Sequence, residues 1–490
     1  MIHSKRGMGI FSILWIGQVV SVIGSSLTGF ALGVWVYQQS GSITQFTLIS
    51  LAAMVPGILV SPIAGALVDR WNRRWTMILS DACSALVTLS VFLLLRANQL
   101  ALWHLGIAAA LISIFNAFQM PAYHAATTML VPKQQLGKAS GMTQAGQALG
   151  QLVAPALAGA LLVNVQLVGV VLVDFATFFV ALITMFAIRI PEVDDAKAAV
   201  EAGAGANAEE RARESTEEST DTKTSLFGDI LFGWRYLYER RGLLALLGFF
   251  AVGSFLVGFV GILITPLVLS FESADTLGLI MTIGGLGMLV GSIGLGAFDG
   301  SSNRIRLILG FALASSLFVM MLGSSTWPVL LTISAFFYLF CSAMISGNSR
   351  VIMQKKVAPE VQGRVFALAT AVPQATTPLA YLLAGPLADY VFEPLMAVDG
   401  PLANSAGQLI GVGTGRGIGL LMILIGILMV LFVAIAYRNP RLRNLEEELP
   451  DVEIFEEPSQ RGDVEQVVKP GVVLDVERQG PQPMIPVVPN

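Results

Sequence analysis

Val131-Pro132-Lys133-Gln134-Gln135-Leu136-Gly137-Lys138 has a counterpart 226 residues further on, Val357-Ala358-Pro359-Glu360-Val361-Gln362-Gly363-Arg364. A second pair of landmarks keeps nearly the same offset: Asp69 with Arg73 and Arg74, and Asp299 with Arg304 and Arg306, 230 residues apart. Two unrelated landmarks at one spacing argue for two homologous halves. Around them lie apolar runs matching the roughly 20 residues a helix needs to cross a bilayer core. Six precede Arg189, at 10–38, 45–68, 75–96, 101–126, 140–163 and 166–188. Six follow Arg241, at 243–270, 277–298, 304–325, 327–349, 364–392 and 416–437. Each octet thus falls in the turn after the fourth run of its half. The runs are helices, because an open strand in lipid would leave its backbone hydrogen bonds unmade. The expected fold class is an all-α membrane protein, with 12 transmembrane helices in two pseudo-symmetric six-helix bundles. Chains built this way are most often transporters, with the substrate site between the halves near the membrane midplane.

Composition agrees. The 490 residues are 54% hydrophobic and 13% charged, with mean hydropathy +0.72, whereas soluble domains carry about a quarter charged residues. Arg189 to Arg241 and Arg438 to Asn490 hold 37 of the 62 charges, which leaves 25 for the other 384 residues. The net charge of −4 comes largely from those two acidic stretches and gives no reason to expect a nucleic acid partner. Cys83 and Cys341 lie in apolar runs and His3, His104 and His124 form no cluster, so no metal site and no cofactor is expected.

Lys and Arg in the connections set the orientation. With the N-terminus inside, the even turns carry Arg70, Arg73, Arg74, Lys133, Lys138, Arg304, Arg306, Lys355 and Lys356, while the odd turns hold only Arg96 and Arg416. The expectation is a multi-pass protein of the cell membrane with both termini cytoplasmic. The domains are then a first bundle at 1–190, a linker at 191–242, a second bundle at 243–437 and an acidic, unstructured tail at 438–490. Lys5-Arg6 before an apolar run mimics a signal peptide, but the run is too long and lacks a small-residue cleavage site, so it reads as a retained first helix. Within the linker, Leu226, Ile230, Trp234 and Leu237 share one face of a helix over 225–241, expected to lie along the cytoplasmic leaflet. The alternative is a packing helix in a small soluble insert.

The turn after the second run reads Gly65-Ala66-Leu67-Val68-Asp69-Arg70-Trp71-Asn72-Arg73-Arg74. It resembles the G-x-L-x-D-R-x-G-R-R signature of the major facilitator superfamily, with Asn72 in place of the second glycine. Gly65 would let another helix approach closely, and Asp69 can sit where a helix dipole favours an anion. The resemblance implies the major facilitator fold and a gate in which the aspartate engages the start of helix 11, here Gly363 and Arg364. The alternative, a topology-setting basic cluster, explains the arginines but neither Gly65 nor Asp69. In the fifth run, Gly150, Pro155 and Gly159 sit in a stretch resembling the G-x-x-x-G-P-x-x-G-G antiporter motif, with Ala154 and Ala158 replacing two glycines. That resemblance implies export. Gly17-Gln18, Gly385-Pro386-Leu387-Ala388-Asp389 and Gly415-Arg416-Gly417 are similar to the drug:proton antiporter branch that holds macrolide-efflux and enterobactin-exporter proteins. Many relatives carry an acid just after the helix-1 glycine; here the residue is Ser25.

Polar side chains inside spans are costly and face a cavity or a partner helix. Gln18, Ser21 and Ser25 share a face of the first run, and Asn116, Gln119 and Tyr123 one of the fourth. Gln144, Gln147 and Gln151 line up in the fifth, and Thr370, Gln374, Thr377 and Tyr381 in the eleventh. They are candidates for the substrate cavity, or for interhelical hydrogen bonds in a dry bundle. Asp174, about 12 Å into the sixth run, and Asp81, near the cytoplasmic end of the third, are candidates for carrying protons or for structural hydrogen bonding.

The expected function is proton-coupled export of a hydrophobic or amphiphilic small molecule, drug or siderophore in class, by alternating access. The partners are then the lipid bilayer, the substrate and protons, and the chain acts as a monomer. A lipid or lysophospholipid flippase of the same fold and a transporter-like sensor are the alternatives. An enzyme would need clustered His, paired acids or an activated nucleophile at one cavity, and no Walker A pattern supports an ATP-driven pump.

Overall fold

The computed structural model describes residues 2–68, 70–188, 226–298 and 303–448, so Asp69, Asp299, most of the linker and most of the tail lie outside the described residues. Among these, regular structure is helical throughout. The first half comprises α1 (Ile2–Ser40), α2 (Ile43–Ala52), α3 (Val55–Val68), α4 (Arg73–Arg96), α5 (Leu102–Leu130) and α6 (Leu136–Ala187). After α7 (Leu226–Glu239) come α8 (Arg241–Leu269), α9 (Ala274–Gly294), α10 (Arg304–Ser324), α11 (Pro328–Lys356), α12 (Pro359–Leu387) and α13 (Arg416–Arg438).

Ten of these segments are long and apolar enough to cross a membrane, with α2 and α3 forming one span, Ile43–Val68. The 52-residue α6 contains two crossings. Its break is Gln166, at φ 57° and ψ −179°, and its contacts with α1 run in opposite senses on either side. Trp15 meets Met142 and Val22 meets Gly150, whereas Gly17 faces Thr184 and Gly24 faces Thr177. The first series ascends and the second descends, so the chain reverses at Gln166. With the 29-residue α12 this makes twelve crossings, as the apolar runs require. Pro373 inside α12 has no N–H for the carbonyl of Ala369 one turn back; beside it, Thr376 Oγ1 donates to Pro373 O (2.7 Å) and to Ala251 O of α8 (3.0 Å), which ties this part of α12 to α8.

The arginine- and lysine-rich turns lie at one end of the bundle, and the core is distributed unevenly along its length. Away from that end the halves share one core, in which Val34 and Phe46 of the first half pack with Phe259, Leu263 and Ala384 of the second. Toward the basic end the cores separate. Phe11, Leu14, Val68, Met77 and Met185 belong to the first half, and Leu243, Ile305, Ile352 and Val365 to the second. Exposed aromatics mark both membrane boundaries: Trp71, Trp75, Trp234, Tyr238 and Tyr437 at the basic end, Trp103, Trp327 and Tyr390 at the other.

The crossing of α6 over α9 joins the halves. A Cβ on Gly159 would stand 2.8 Å from Ala274 O and 2.9 Å from Asp275 Cα, too close for any side chain. Thr282 Oγ1 donates to Leu152 O at 3.1 Å along the same seam. Gly159→Leu is expected to force the helices apart at a cost of about 1–3 kcal/mol. Thermal unfolding of the detergent-purified protein would report it as a lowered Tm, and an unchanged Tm would rule out a tight crossing.

Helix α7 departs from the expected arrangement. Trp234 is exposed but Leu237 is 1% exposed, because Gly233 lets the helix settle against Arg364 O and Leu368 of α12. The apolar residues therefore divide between a side facing the bundle and an outer side of Leu231, Trp234 and Tyr238. The side chains of Leu226 and Ile230 lie outside the described residues.

Candidate functional site

Two acids are buried among the helices of the first half. Asp81 of α4 is 1% exposed, and both carboxylate oxygens accept from amides: Oδ2 from Gln18 Nε2 of α1 (3.3 Å) and Oδ1 from Gln119 Nε2 of α5 (2.5 Å). Gln119 Nε2 also donates to Gln18 Oε1 at 3.1 Å. Two glutamines thus enclose Asp81 and tie α1, α4 and α5 together. Gln18 and Gln119, read from their helical faces as cavity residues, serve here as ligands of a buried carboxylate.

Asp174 is 2% exposed and sits in the second crossing of α6, where α1 passes close at Gly24. Its Oδ1 accepts from Ser25 Oγ at 3.2 Å. Ser25 is itself exposed, so its hydroxyl links the acid to the exposed surface, and the Thr28 hydroxyl faces the same carboxylate. Ser25 occupies the place where many relatives in the resembled branch carry an acid.

The remaining candidates divide by exposure. Asn116, Gln144, Gln147 and Gln374 are exposed within their spans, and Tyr381 is half-buried. Lipid is a poor neighbour for an amide. Tyr123 is buried, its hydroxyl 3.4 Å from Thr143 Oγ1, and Ser21 is buried; neither faces open space. Near the basic end, Arg73 reaches Met129 Sδ at 2.8 Å and Arg74 donates to Phe186 O at 3.0 Å, both within the first half; Arg70 is exposed. Asn72 has a role of its own as N-cap of α4, its Oδ1 accepting from Arg74 N (3.1 Å) and Trp75 N (3.3 Å). The close helix approach expected at Gly65 is not observed, and space is equally open at Gly363. The reason is that the halves pack together at the opposite end. The Arg364 guanidinium lies 5.1 Å from the Phe232 ring.

At that opposite end the structure joins residues that the sequence left apart. Asp389, in the π-turn after α12, accepts at the N-terminus of α2 from Ser42 Oγ (2.7 Å), Ile43 N (3.0 Å) and Thr44 N (2.8 Å). Tyr37 OH lies 3.0 Å from Ser270 Oγ in the same layer. Nearby, Glu393 accepts from Gly415 N (3.1 Å) and Ile418 N (3.0 Å) at the start of α13, and burial pushes its carboxyl above the usual range. Inside the second half a cavity of about 200 Å³ is lined by aromatic rings, including Phe250 and Tyr338, and by the hydroxyls of Ser254, Ser315, Ser342 and Ser346, with no charged residue. Tyr338, Ser342 and Ser346 recur every fourth residue, a stripe like those read on other helices, and the one signal that could have found this cavity.

Residues 14–391 match the Major Facilitator Superfamily. The chain belongs to that superfamily. Its relatives include macrolide efflux protein A of Streptococcus pyogenes, 30% identical over 392 residues that cover 78% of this chain and 90% of that protein. The multidrug efflux pump Tap of Mycolicibacterium fortuitum is 24% identical over 404 residues, covering 79% and 91%. Among solved structures, a bacterial homolog of the human lysosomal transporter Spinster, inward-facing and unoccupied, superposes with a TM-score of 0.66 at 14% identity over 90% of this chain and 98% of that one. This major facilitator protein is therefore a multi-pass membrane transporter with efflux relatives and is not an enzyme.

Proposed function

We propose that the protein exports an amphiphilic, largely uncharged small molecule in exchange for protons. Residues 1–190 rock against 243–437 around a shared cavity in the cell membrane, with both termini cytoplasmic. The orientation follows from the basic turns and the direction from the efflux relatives and the motif at Gly150, Pro155 and Gly159. The observation that carries the coupling is Asp174: a buried acid faced by the hydroxyls of Ser25, itself exposed, and Thr28, at the contact between α1 and the second crossing of α6. An acid so placed can exchange a proton with the cavity when the helices shift. Cavity walls of amides, hydroxyls and aromatic rings with no deep cation suit a drug-like substrate better than a strongly anionic one. In the gating cycle, Asp69, Arg70, Arg73 and Arg74 would engage the α12 start at Gly363 and Arg364 when the basic end closes. One chain carries both halves, so a monomer suffices.

In proteoliposomes with an imposed pH gradient, the wild-type protein is expected to drive dye or macrolide flux that a protonophore abolishes. Asp174→Asn is expected to lower gradient-driven flux at least tenfold while retaining equilibrium exchange. Unaltered gradient-driven flux in that variant would remove the coupling role from Asp174, and flux indifferent to the protonophore would remove proton antiport altogether.

A further inference from the structure

We infer that the cleft between α7, the start of α8 and the end of α13 binds the phosphate of an anionic phospholipid headgroup. The cleft has a volume of about 430 Å³ and is lined by Tyr238, Arg241, Leu244, Ala245, Asn439 and Arg441. Two guanidiniums, an amide and a phenol supply the polar wall, and an aliphatic pair supplies the floor.

The cleft is built rather than incidental. The turn Pro440–Arg443 is fixed from within by Asn439 Oδ1, which accepts from Arg441 N at 3.1 Å. It is fixed from below by Leu442 and Leu445, at 3% and 0% exposure, both part of the second-half core at the basic end. Gly242 lets this turn lie against the start of α8: a Cβ there would stand 3.4 Å from Arg441 O and 3.3 Å from Leu445 Cγ. Arg441 and Arg241 thereby line one cleft, where two cations repel one another less when an anion lies between them.

Among the described residues no acid lines the cleft. Two described acids near it have other partners: Glu239 pairs with Arg235 at 3.0 Å, and Glu446 accepts Ile305 N through Oε2 (3.1 Å) and Lys356 Nζ through its carbonyl (2.8 Å). Arg240 is drawn aside over the Tyr236 ring, 3.7 Å from its centroid. Among the described residues Arg241 and Arg441 make no ion pair. Paired guanidiniums match a phosphate monoanion by bidentate hydrogen bonding, and basic pockets between spanning helices suit anionic lipid headgroups.

Depth selects a lipid over a soluble phosphate. Exposed Trp234, Tyr238 and Tyr437 place this level at the membrane boundary, and Leu244 and Ala245 offer an apolar surface where the first acyl carbons would run. Assignment to the cytoplasmic leaflet rests on the orientation proposed above, but binding itself does not.

The test is native mass spectrometry of the full chain in detergent, titrated with phosphatidylglycerol or phosphatidylcholine. The wild type is expected to retain phosphatidylglycerol preferentially. The double variant Arg241→Gln, Arg441→Gln should bind it about thirtyfold more weakly, with phosphatidylcholine unaffected. Arg96→Gln, at the other end, should change nothing. Arg441→Gln alone, on an exposed turn, should weaken binding about fivefold and keeps the test decisive if the double variant fails to fold. Undiminished phosphatidylglycerol retention in the variants, equal retention of phosphatidylcholine by the wild type, or inorganic phosphate binding as tightly as the lipid would each overturn the inference. None of these outcomes bears on proton coupling, so its failure and that of the proposed function are separable.

Discussion

Replacing Asp389 by alanine is expected to shift the protein toward the state opened at the end away from the arginines. Asp389 belongs to the second half, and its three donors, Ser42 Oγ, Ile43 N and Thr44 N, belong to the first. A carboxylate there satisfies amides at the start of α2 that have no partner within the helix, and it meets the positive end of the helix dipole. Hydrogen bonds to a charged group contribute about 1.5–3 kcal/mol each, but water replaces part of that once the halves separate. A net loss of about 2–3 kcal/mol is reasonable, or roughly 30- to 150-fold in the ratio of closed to open states. Asp389→Asn keeps one acceptor oxygen and should give a smaller shift. Tyr37 and Ser270, 3.0 Å apart, remain as a weaker contact between the halves, so the variant should open without unfolding. Spin labels at Gln99 and Ala397, both exposed at this end and on different halves, in a background lacking Cys83 and Cys341, would read the distance by pulsed EPR. Matching distance distributions for wild type and Asp389→Ala would eliminate this contact as the seal.

Asp81→Ala is expected to cost the most stability of any single change in the first half. Removing the carboxylate strands the Gln18 and Gln119 amide groups among α1, α4 and α5, where no water readily replaces it. An unpaired buried donor costs about 1–3 kcal/mol, and two donors lose their acceptor together. The expected loss is about 3 kcal/mol or more, measured as the fall in Tm of the purified protein against wild type. Asp81→Asn should fall between them, because one oxygen remains and its amide nitrogen confronts another donor. The two acids thereby part company: Asp81 is held by two amides from two other helices, whereas Asp174 faces only hydroxyls, those of Ser25 and Thr28, and is the one proposed above to carry protons. Should Asp81→Asn keep its Tm yet lose gradient-driven flux while Asp174→Asn transports normally, these roles would have to be exchanged.

What the amino-acid sequence determined by itself is the set of spanning helices and the twofold repeat, with helix ends displaced by several residues, as at α1 (Ile2–Ser40, expected at 10–38) and α11 (Pro328–Lys356, expected at 327–349). Lipid cannot hydrogen-bond a backbone, so any apolar run of sufficient length must close its bonds as a helix, and twelve runs give twelve crossings whatever surrounds them. The same one-dimensional logic marks Asp81 and Asp174, since an acid inside a span is conspicuous on cost alone. What only the tertiary structure decided is which faces meet. Asp389 lies 345 to 347 residues from its partners, and Gln18 and Gln119 reach Asp81 from 63 and 38 residues away; no periodicity links such positions. In lipid, apolar side chains gain little by preferring one helix to another, so small-residue crossings such as Gly159 on Ala274 fix the pairings. The open space at Gly65 depends on something further, namely which end of the molecule is closed, because one sequence must serve every state of the cycle.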